Sequence, residues 1–188
     1  MRVQNVSFGA RYIKSATVLK NNKNLDKHAV AFVELNPTDI RDIACINRLN
    51  FEWGGIKTLT RALANNMNSI FFEEVNAVQD RFFVLTQQKG NYEDLSIDDI
   101  LSVAETSVFD DKIISIDFLE TKFKESHKAL DSRFKHIGTE MINNLKFLFR
   151  GKDLLVETPE KNEPFYLKQG FEKVEGGVNR MLFRSFKV

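Results

Sequence analysis

Hydrophobic positions along this chain alternate between a period of two and a period near 3.6. The first convincing apolar run, Ala29–Leu35, predicts a strand. It stops at Asn36-Pro37-Thr38-Asp39, a helix start in which Asn36 or Thr38 can cap and Pro37 suits the first helical position. Ile40, Ile43, Ala44 and Leu49 then recur at helical spacing, and Trp53-Gly54-Gly55 breaks the helix. A second helical stretch runs roughly from Ile56 to Val75. Three strand-like runs follow, Arg81–Thr86, Ile100–Val108 and Lys112–Glu120, with turn signals at Gly90-Asn91 and Asp110-Asp111. Thr121–Ser132 is polar and without strong pattern. Beyond it, Ile137, Met141, Ile142, Leu145, Leu148 and Phe149 share one face of an amphipathic helix that Gly151 ends. Asp153–Thr158 predicts a short strand and Pro164–Lys168 a short helix. Phe171–Val174 and Asn179–Phe186 predict a closing antiparallel pair around Gly176-Gly177.

The coarse order is β-α-α-β-β-β-α-β-α-β-β, and its strand-to-helix crossover from Glu120 to Ile137 predicts an α/β or α+β architecture. Residues 1–27 have weak periodicity and a polar stretch from Lys20 to Lys27. They read as an N-terminal arm or irregular start, with a short strand in Tyr12–Leu19, ahead of one domain over residues 28–188.

Composition narrows the picture. Hydrophobic residues at 43 % and charged residues at 28 % fit a soluble globular protein. The 27 basic and 26 acidic residues nearly cancel, which argues against a nucleic-acid or anionic-membrane binder, an aminoacyl-tRNA substrate included. No apolar run reaches the ~18 residues of a membrane helix, and the first twenty residues do not read as a signal peptide. The expectation is a cytoplasmic protein. Cys45, the single cysteine, has no disulfide partner and reads as core packing. His28, His127 and His136 have no metal-ligand spacing with one another or with Cys45, so no metal is expected.

Arg133-Phe134-Lys135-His136-Ile137-Gly138 stands directly before the amphipathic helix. A helix N-terminus presents unpaired backbone N–H groups and partial positive charge, which suit a pyrophosphate. Gly138 permits close approach, and Arg133 and Lys135 add charge. Some two dozen residues later comes Asn162-Glu-Pro-Phe-Tyr-Leu-Lys-Gln-Gly-Phe171.

These two segments, in this order, resemble the GNAT superfamily of acyl-CoA-dependent N-acetyltransferases. Its Q/R-x-x-G-x-G/A turn finds Arg133 in the Q/R place, His136 in the place of the first glycine and Gly138 in that of the last. Phe165-Tyr166 and Gly170-Phe171 match its F-Y-x-x-x-G-F half, while the Asn162 half is compressed and lacks the usual alanine. The resemblance implies a mixed, mostly antiparallel central sheet with helices on both faces, its strands splayed at the cofactor site. It implies transfer of acetyl from acetyl-CoA to a primary amine by direct attack, through a tetrahedral intermediate. Phe118, Leu119, Arg133, Phe134, Lys135, His136, Ile137, Gly138, Thr139, Asn162 and Tyr166 would contact the cofactor. Tyr166 would donate to the leaving thiolate. For the base, Glu120 is preferred at the strand end beside the split, then Asp117, with Glu105 third. Strand alternation puts Asp117 and Glu120 on opposite faces. Lys122, Lys124, His127 and Lys128 face either solvent or the adenosine 3′-phosphate. Trp53 packs in the core or lines the acceptor side. The acceptor is an amine-bearing small molecule or a protein, and the oligomeric state, a homodimer included, stays open. A competing reading is a degenerate GNAT fold serving as a CoA-ester sensor or interaction module.

Overall fold

The computed structural model describes residues 9–53, 59–73, 80–122, 133–176 and 179–185. The elements in chain order are β1 (Arg11–Lys20), β2 (Lys27–Leu35), α1 (Ile40–Glu52), α2 (Leu59–Glu73), β3 (Arg81–Thr86), β4 (Ile100–Val108), β5 (Ile113–Thr121), β6 (Phe134–Lys135), α3 (Ile137–Leu148), β7 (Asp153–Glu157), α4 (Glu163–Lys168), β8 (Glu172–Lys173) and β9 (Arg180–Phe183). The strands form one sheet in the order β6-β1-β2-β3-β4-β5-β7-β9-β8. Among the described residues, only the ladder of β5 with β7 is parallel. The mixed, mostly antiparallel sheet expected from sequence is therefore present.

The short strand expected in Tyr12–Leu19 is present as β1, a full member of the sheet and one residue longer at each end. β1 pairs along its length with β2 and carries β6 on its other edge. Its polar residues misled: within β1 only Ala16 and Val18 are buried. The Lys20–Lys27 stretch is the hairpin loop. There Asn22 accepts from the Asp26 amide at 3.2 Å and donates to its carboxylate at 2.7 Å. Leu25 holds φ 50°, where a turn reader looks for glycine or asparagine.

β3 is buried on both faces, and its alternate residues feed two cores. Phe83 and Leu85 join Met141, Ile142 and Leu145 of α3. Phe82 and Val84 join Ile43, Ile46 and Leu49 of α1 and Leu63 and Met67 of α2. Each such fully buried side chain contributes about 1.5–3 kcal/mol relative to exposure. The α1 face differs from the sequence reading. Ile40 is 58 % exposed and Ala44 is exposed, while Asp42 turns inward. The cap differs too: Asp39, rather than Asn36 or Thr38, accepts from the Arg41 amide at 2.8 Å. Trp53 packs in the α1/α2 core, as does Cys45, whose thiol is pushed up to about 12 by burial. The break at Gly54-Gly55 and the turn residue Gly177 lie outside the described residues.

Two irregularities in β5 prepare a site. Pairing with β7 stops at Ile116 opposite Val156, although β5 continues to Thr121 and stays paired with β4. The two parallel strands therefore part after Ile116. The β4–β5 register also slips there, since Glu105 opposes Phe118 whereas Thr106 opposes Ile116, leaving Asp117 as an extra residue. This bulge corrects the alternation expected from sequence. Ile116 belongs to the α3 side and Phe118 to the α1/α2 side, although they are two positions apart, the spacing that in a regular strand shares a face. Leu119 returns to the α3 side, so Asp117, Phe118 and Glu120 share the α1/α2 face.

Candidate active site

A cavity of about 880 Å³ opens where β5 parts from β7, roofed by the start of α3 and by α4. Its floor is the end of β5. The Glu120 carbonyl accepts from Ser102 Oγ at 2.8 Å, and the Lys122 amide donates to Leu101 O at 2.7 Å, both toward β4. By strand alternation, Leu119 and Thr121 turn their N–H and C=O groups to the open side. Among the described residues no strand pairs with this edge beyond Ile116, and an extended ligand could use it.

The roof is the first turn of α3. Intrahelical bonding begins with the Glu140 amide donating to His136 O at 2.9 Å. The amides of Ile137, Gly138 and Thr139 precede that bond, and the cap residue His136 supplies no side-chain acceptor. All three residues line the cavity. His136 itself has φ 62° and ψ 21°, the left-handed conformation that glycine adopts without cost. A Cβ on Gly138 would sit 3.3 Å from the Phe165 ring and 3.6 Å from Thr121 Cγ2. The absent side chain is what keeps this turn open. An anionic, chain-like ligand matches both halves: a pyrophosphate at the amides and an amide-bearing arm along β5.

The turn is tied down from outside. β6 pairs with Leu19 and Lys20 of β1, and the Asn21 amide donates to Arg133 O at 2.8 Å. Phe134 is buried with its ring 4.9 Å from His28. Burial and the nearby Lys20 and Lys89 hold the His28 pKa below its usual value, which favours the neutral ring. Glu140 accepts the Thr17 amide at 3.2 Å, adding a second tie to β1.

Of the cofactor residues expected from sequence, Leu119, Arg133, Phe134, His136, Ile137, Gly138, Thr139, Asn162 and Tyr166 line this cavity. Phe118 does not, because the bulge turns it into the α1/α2 core. Lys135 is exposed on β6, outside the lining. Gln87, Asp98, Leu101, Thr121 and Lys122 line it as well. Lys122 is fixed by donating to Asp98 O at 2.6 Å. Gln87 and Asp98 come from the β3–β4 connection, whose sequence carries no signal for this role. Lys124, His127 and Lys128 lie outside the described residues.

Tyr166 is 7 % exposed, packed edge-on to Phe165 and Phe171, and burial pushes its phenol up to about 12. It is a neutral hydrogen-bond donor near pH 7. The carboxylates sort differently from the sequence ranking. Glu120 is half-buried and Asp117 exposed, with Asp117 Oδ1 accepting from Ser115 Oγ at 2.6 Å. Glu105 is 2 % exposed, and its Oε1 accepts from Asn66 Nδ2 of α2 at 2.8 Å. Burial first, then the charges of Asp117 and Asp80, push its pKa up to about 8. Its Oε2 is buried without a partner among the described residues. No group of three His, Cys, Asp or Glu among those residues is placed to hold a metal ion, and none of their helices is long and apolar enough to cross a membrane.

No family model matches the sequence, and no curated protein does. Solved structures do match. A Desulfovibrio desulfuricans protein assigned to the GNAT family of acetyltransferases aligns with a TM-score of 0.53 at 15 % identity, over 82 % of this chain and 96 % of its own. Ard1 from Thermoplasma volcanium aligns at 0.50 and 13 % identity, over 84 % and 99 %. AtaTR bound with acetyl-CoA aligns at 0.50 and 16 % identity, over 82 % and 92 %. The chain has the GNAT fold.

Proposed function

We propose that the protein is an N-acetyltransferase that takes acetyl from acetyl-CoA and delivers it to a primary amine by direct attack. The observation that carries this reading is the meeting of two unsatisfied backbone edges in one cavity: the uncapped amides of Ile137, Gly138 and Thr139, and the open side of β5 at Leu119 and Thr121. The amides and Arg133 hold the pyrophosphate, and β5 holds the pantetheine arm. Bound acetyl-CoA supplies the activated acyl group, a thioester. Glu105 takes one proton from the ammonium by way of one water, leaving a nucleophilic lone pair. The Tyr166 hydroxyl donates a hydrogen bond to the departing sulfur, which takes up a second amine proton as the C–N bond forms and the C–S bond breaks. The third stays on the amide nitrogen, so protons balance. Glu105 displaces Glu120 and Asp117 as the preferred base because it alone of the three is buried, with a carboxylate oxygen left unpaired.

Calorimetric titration with acetyl-CoA and a thiol-release assay over an amine panel test this. Saturable binding with amine-dependent thiol release is expected. Binding without thiol release for any amine favours the CoA-ester sensor, and absence of binding removes both. With an acceptor in hand, Tyr166→Phe is expected to lower kcat by about 10²-fold, the low end for proton-donor assistance, since a phenol pushed up to about 12 shares its proton rather than surrendering it. An unchanged kcat, with chemistry limiting, returns Tyr166 to core packing.

A further inference from the structure

A second cavity, of about 330 Å³, lies across the β3–β4 connection from the first, on the α1/α2 side of the sheet. Its floor is made of small side chains, Ser15 of β1 and Ala29 and Ala31 of β2. Tyr12 and Tyr92 wall it, their rings 5.3 Å apart and 17° from parallel. Lys89 also lines it, exposed, and makes no ion pair among the described residues. Two local features build this trough. The β1–β2 register slips between Tyr12 and Lys14, so Tyr12 opposes Val33 and Ser15 opposes Ala31. Residues three apart in a regular strand face opposite ways; the slip puts these two on one face, with the Tyr12 hydroxyl 2.9 Å from Ser15 Oγ. The loop that carries Lys89 and Tyr92 is fastened by Gln88. Its Nε2 donates to Asn91 O at 2.6 Å and to Asp94 O at 3.0 Å, and its Oε1 accepts from the Ser96 amide at 2.7 Å. The trough is therefore formed before any ligand arrives.

Gln87 lines both cavities. The α3 turn stands over the end of β5, where a Cβ on Gly138 would meet Thr121. Past that end the first cavity is lined by Lys122, Asp98 and then Gln87, whose amide donates to Asp99 O at 2.9 Å. A ligand whose arm follows β5 and whose pyrophosphate sits at the α3 turn leaves the first cavity in this direction, toward the trough. The acceptor cannot be its occupant. An acceptor must reach the thioester, which lies back toward the parting of β5 from β7 after Ile116. The size suits one ring system, and stacked aromatic walls favour a flat one. We propose that this trough holds the adenine ring of the acyl donor against the tyrosine pair, with Lys89 meeting the phosphate on its ribose. This rests on the acetyltransferase reading and assigns the nucleotide end of its donor.

The test titrates the full chain by calorimetry with acetyl-CoA and with S-acetyl-4′-phosphopantetheine, which ends before the adenosine. Acetyl-CoA is expected to bind at least about tenfold more tightly. Tyr92→Ala removes a wall, and Ser15→Leu fills the trough from an exposed position. Each should weaken acetyl-CoA about tenfold and leave the affinity for the phosphopantetheine thioester as in the parent. Tyr92→Phe keeps the ring and should bind acetyl-CoA like the parent. Lys89→Ala should cut the preference for acetyl-CoA over its 3′-dephospho form by about 3-fold, and an unchanged preference overturns the phosphate contact. Equal parent affinities for acetyl-CoA and the phosphopantetheine thioester overturn the adenine site. So do Tyr92→Ala and Ser15→Leu proteins that bind acetyl-CoA as the parent does, or that lose both donors alike. In each of those cases the parent still binds acetyl-CoA, and only the subsite falls. If the parent binds neither donor, the acetyltransferase reading falls and takes the subsite with it.

Discussion

At the scale of single residues, His136 and Glu105 carry the most chemistry for the least sequence signal. His136 occupies the place where the GNAT pattern has glycine, and the structure shows why glycine suits it: the backbone is left-handed there. A non-glycine residue in that region costs roughly 1–2 kcal/mol. Glycine's extra freedom in the unfolded chain takes back roughly 0.4–1 kcal/mol. His136→Gly is therefore expected to move the melting temperature little and to keep acetyl-CoA affinity, because the site uses amides and not the imidazole. A large loss of affinity by calorimetry contradicts this and makes the ring a ligand contact. Glu105 is titratable in a useful range. If it is the base, kcat/KM should climb about tenfold per pH unit below its value of about 8 and level above it. Stability runs the other way. The folded state holds this proton more tightly than an ordinary glutamate at 4.5, so its contribution is complete below 4.5 and is lost as pH rises to about 8. Glu105→Gln should abolish the activity limb and flatten the fall in stability across that window, read by denaturant melts at several pH values. A variant retaining the parent's pH profile removes Glu105 from the mechanism.

At the scale of elements, legibility followed patterning. The amphipathic stripe of α3 and the apolar run of β3 appear in the sequence as they appear in the fold, because both bury what their periods predict. β1 showed only as a short strand inside an arm, since an edge-side strand with two buried residues leaves little period-two signal. The bulge at Asp117 was invisible for a different reason: a bulge is a relation between two strands, and neither strand's own sequence contains it. The missed bulge also misplaced a carboxylate, since alternation through an unbroken strand separates Asp117 from Glu120, whereas the bulge puts both on the α1/α2 face. The start of α3 was legible because Arg133–Gly138 joins charge, glycine and a helix start. Its partners across the cavity were not, because Phe165 on α4 and Thr121 on β5 meet Gly138 only through the crossover. Gly138→Val tests that meeting. Branched methyls must enter a space where even Cβ lies 3.3 Å from Phe165, so the helix start or α4 has to shift. Acetyl-CoA affinity is expected to fall at least about tenfold, with a destabilisation of about 1–3 kcal/mol from overpacking. Parent-like titration curves locate the pyrophosphate elsewhere.

At the scale of the whole molecule, the sheet divides the labour. The α3 side presents amides, the open edge of β5 and Tyr166, and the α1/α2 side presents Glu105, Asp117 and Asp80. Two-sided order also explains what sequence could not reach: register across strands decides which residues share a face, and single-strand patterns carry no register. Ligand linkage gives the global test. The cavity proposed for the donor is built from α3, α4, β5 and, through β6, the N-terminal hairpin, so a ligand there would brace elements far apart in the chain. A ligand at 100 times its Kd stabilises by about 2.7 kcal/mol. For a domain of this length that is a rise of about 5–10 °C in Tm. Acetyl-CoA and CoA should both give it, and ADP, which keeps a pyrophosphate but lacks the pantetheine arm, should give less. Equal shifts with ADP and CoA restrict the site to the α3 turn and leave the open edge of β5 without its ligand; no shift with any of the three rejects the cavity as a nucleotide site.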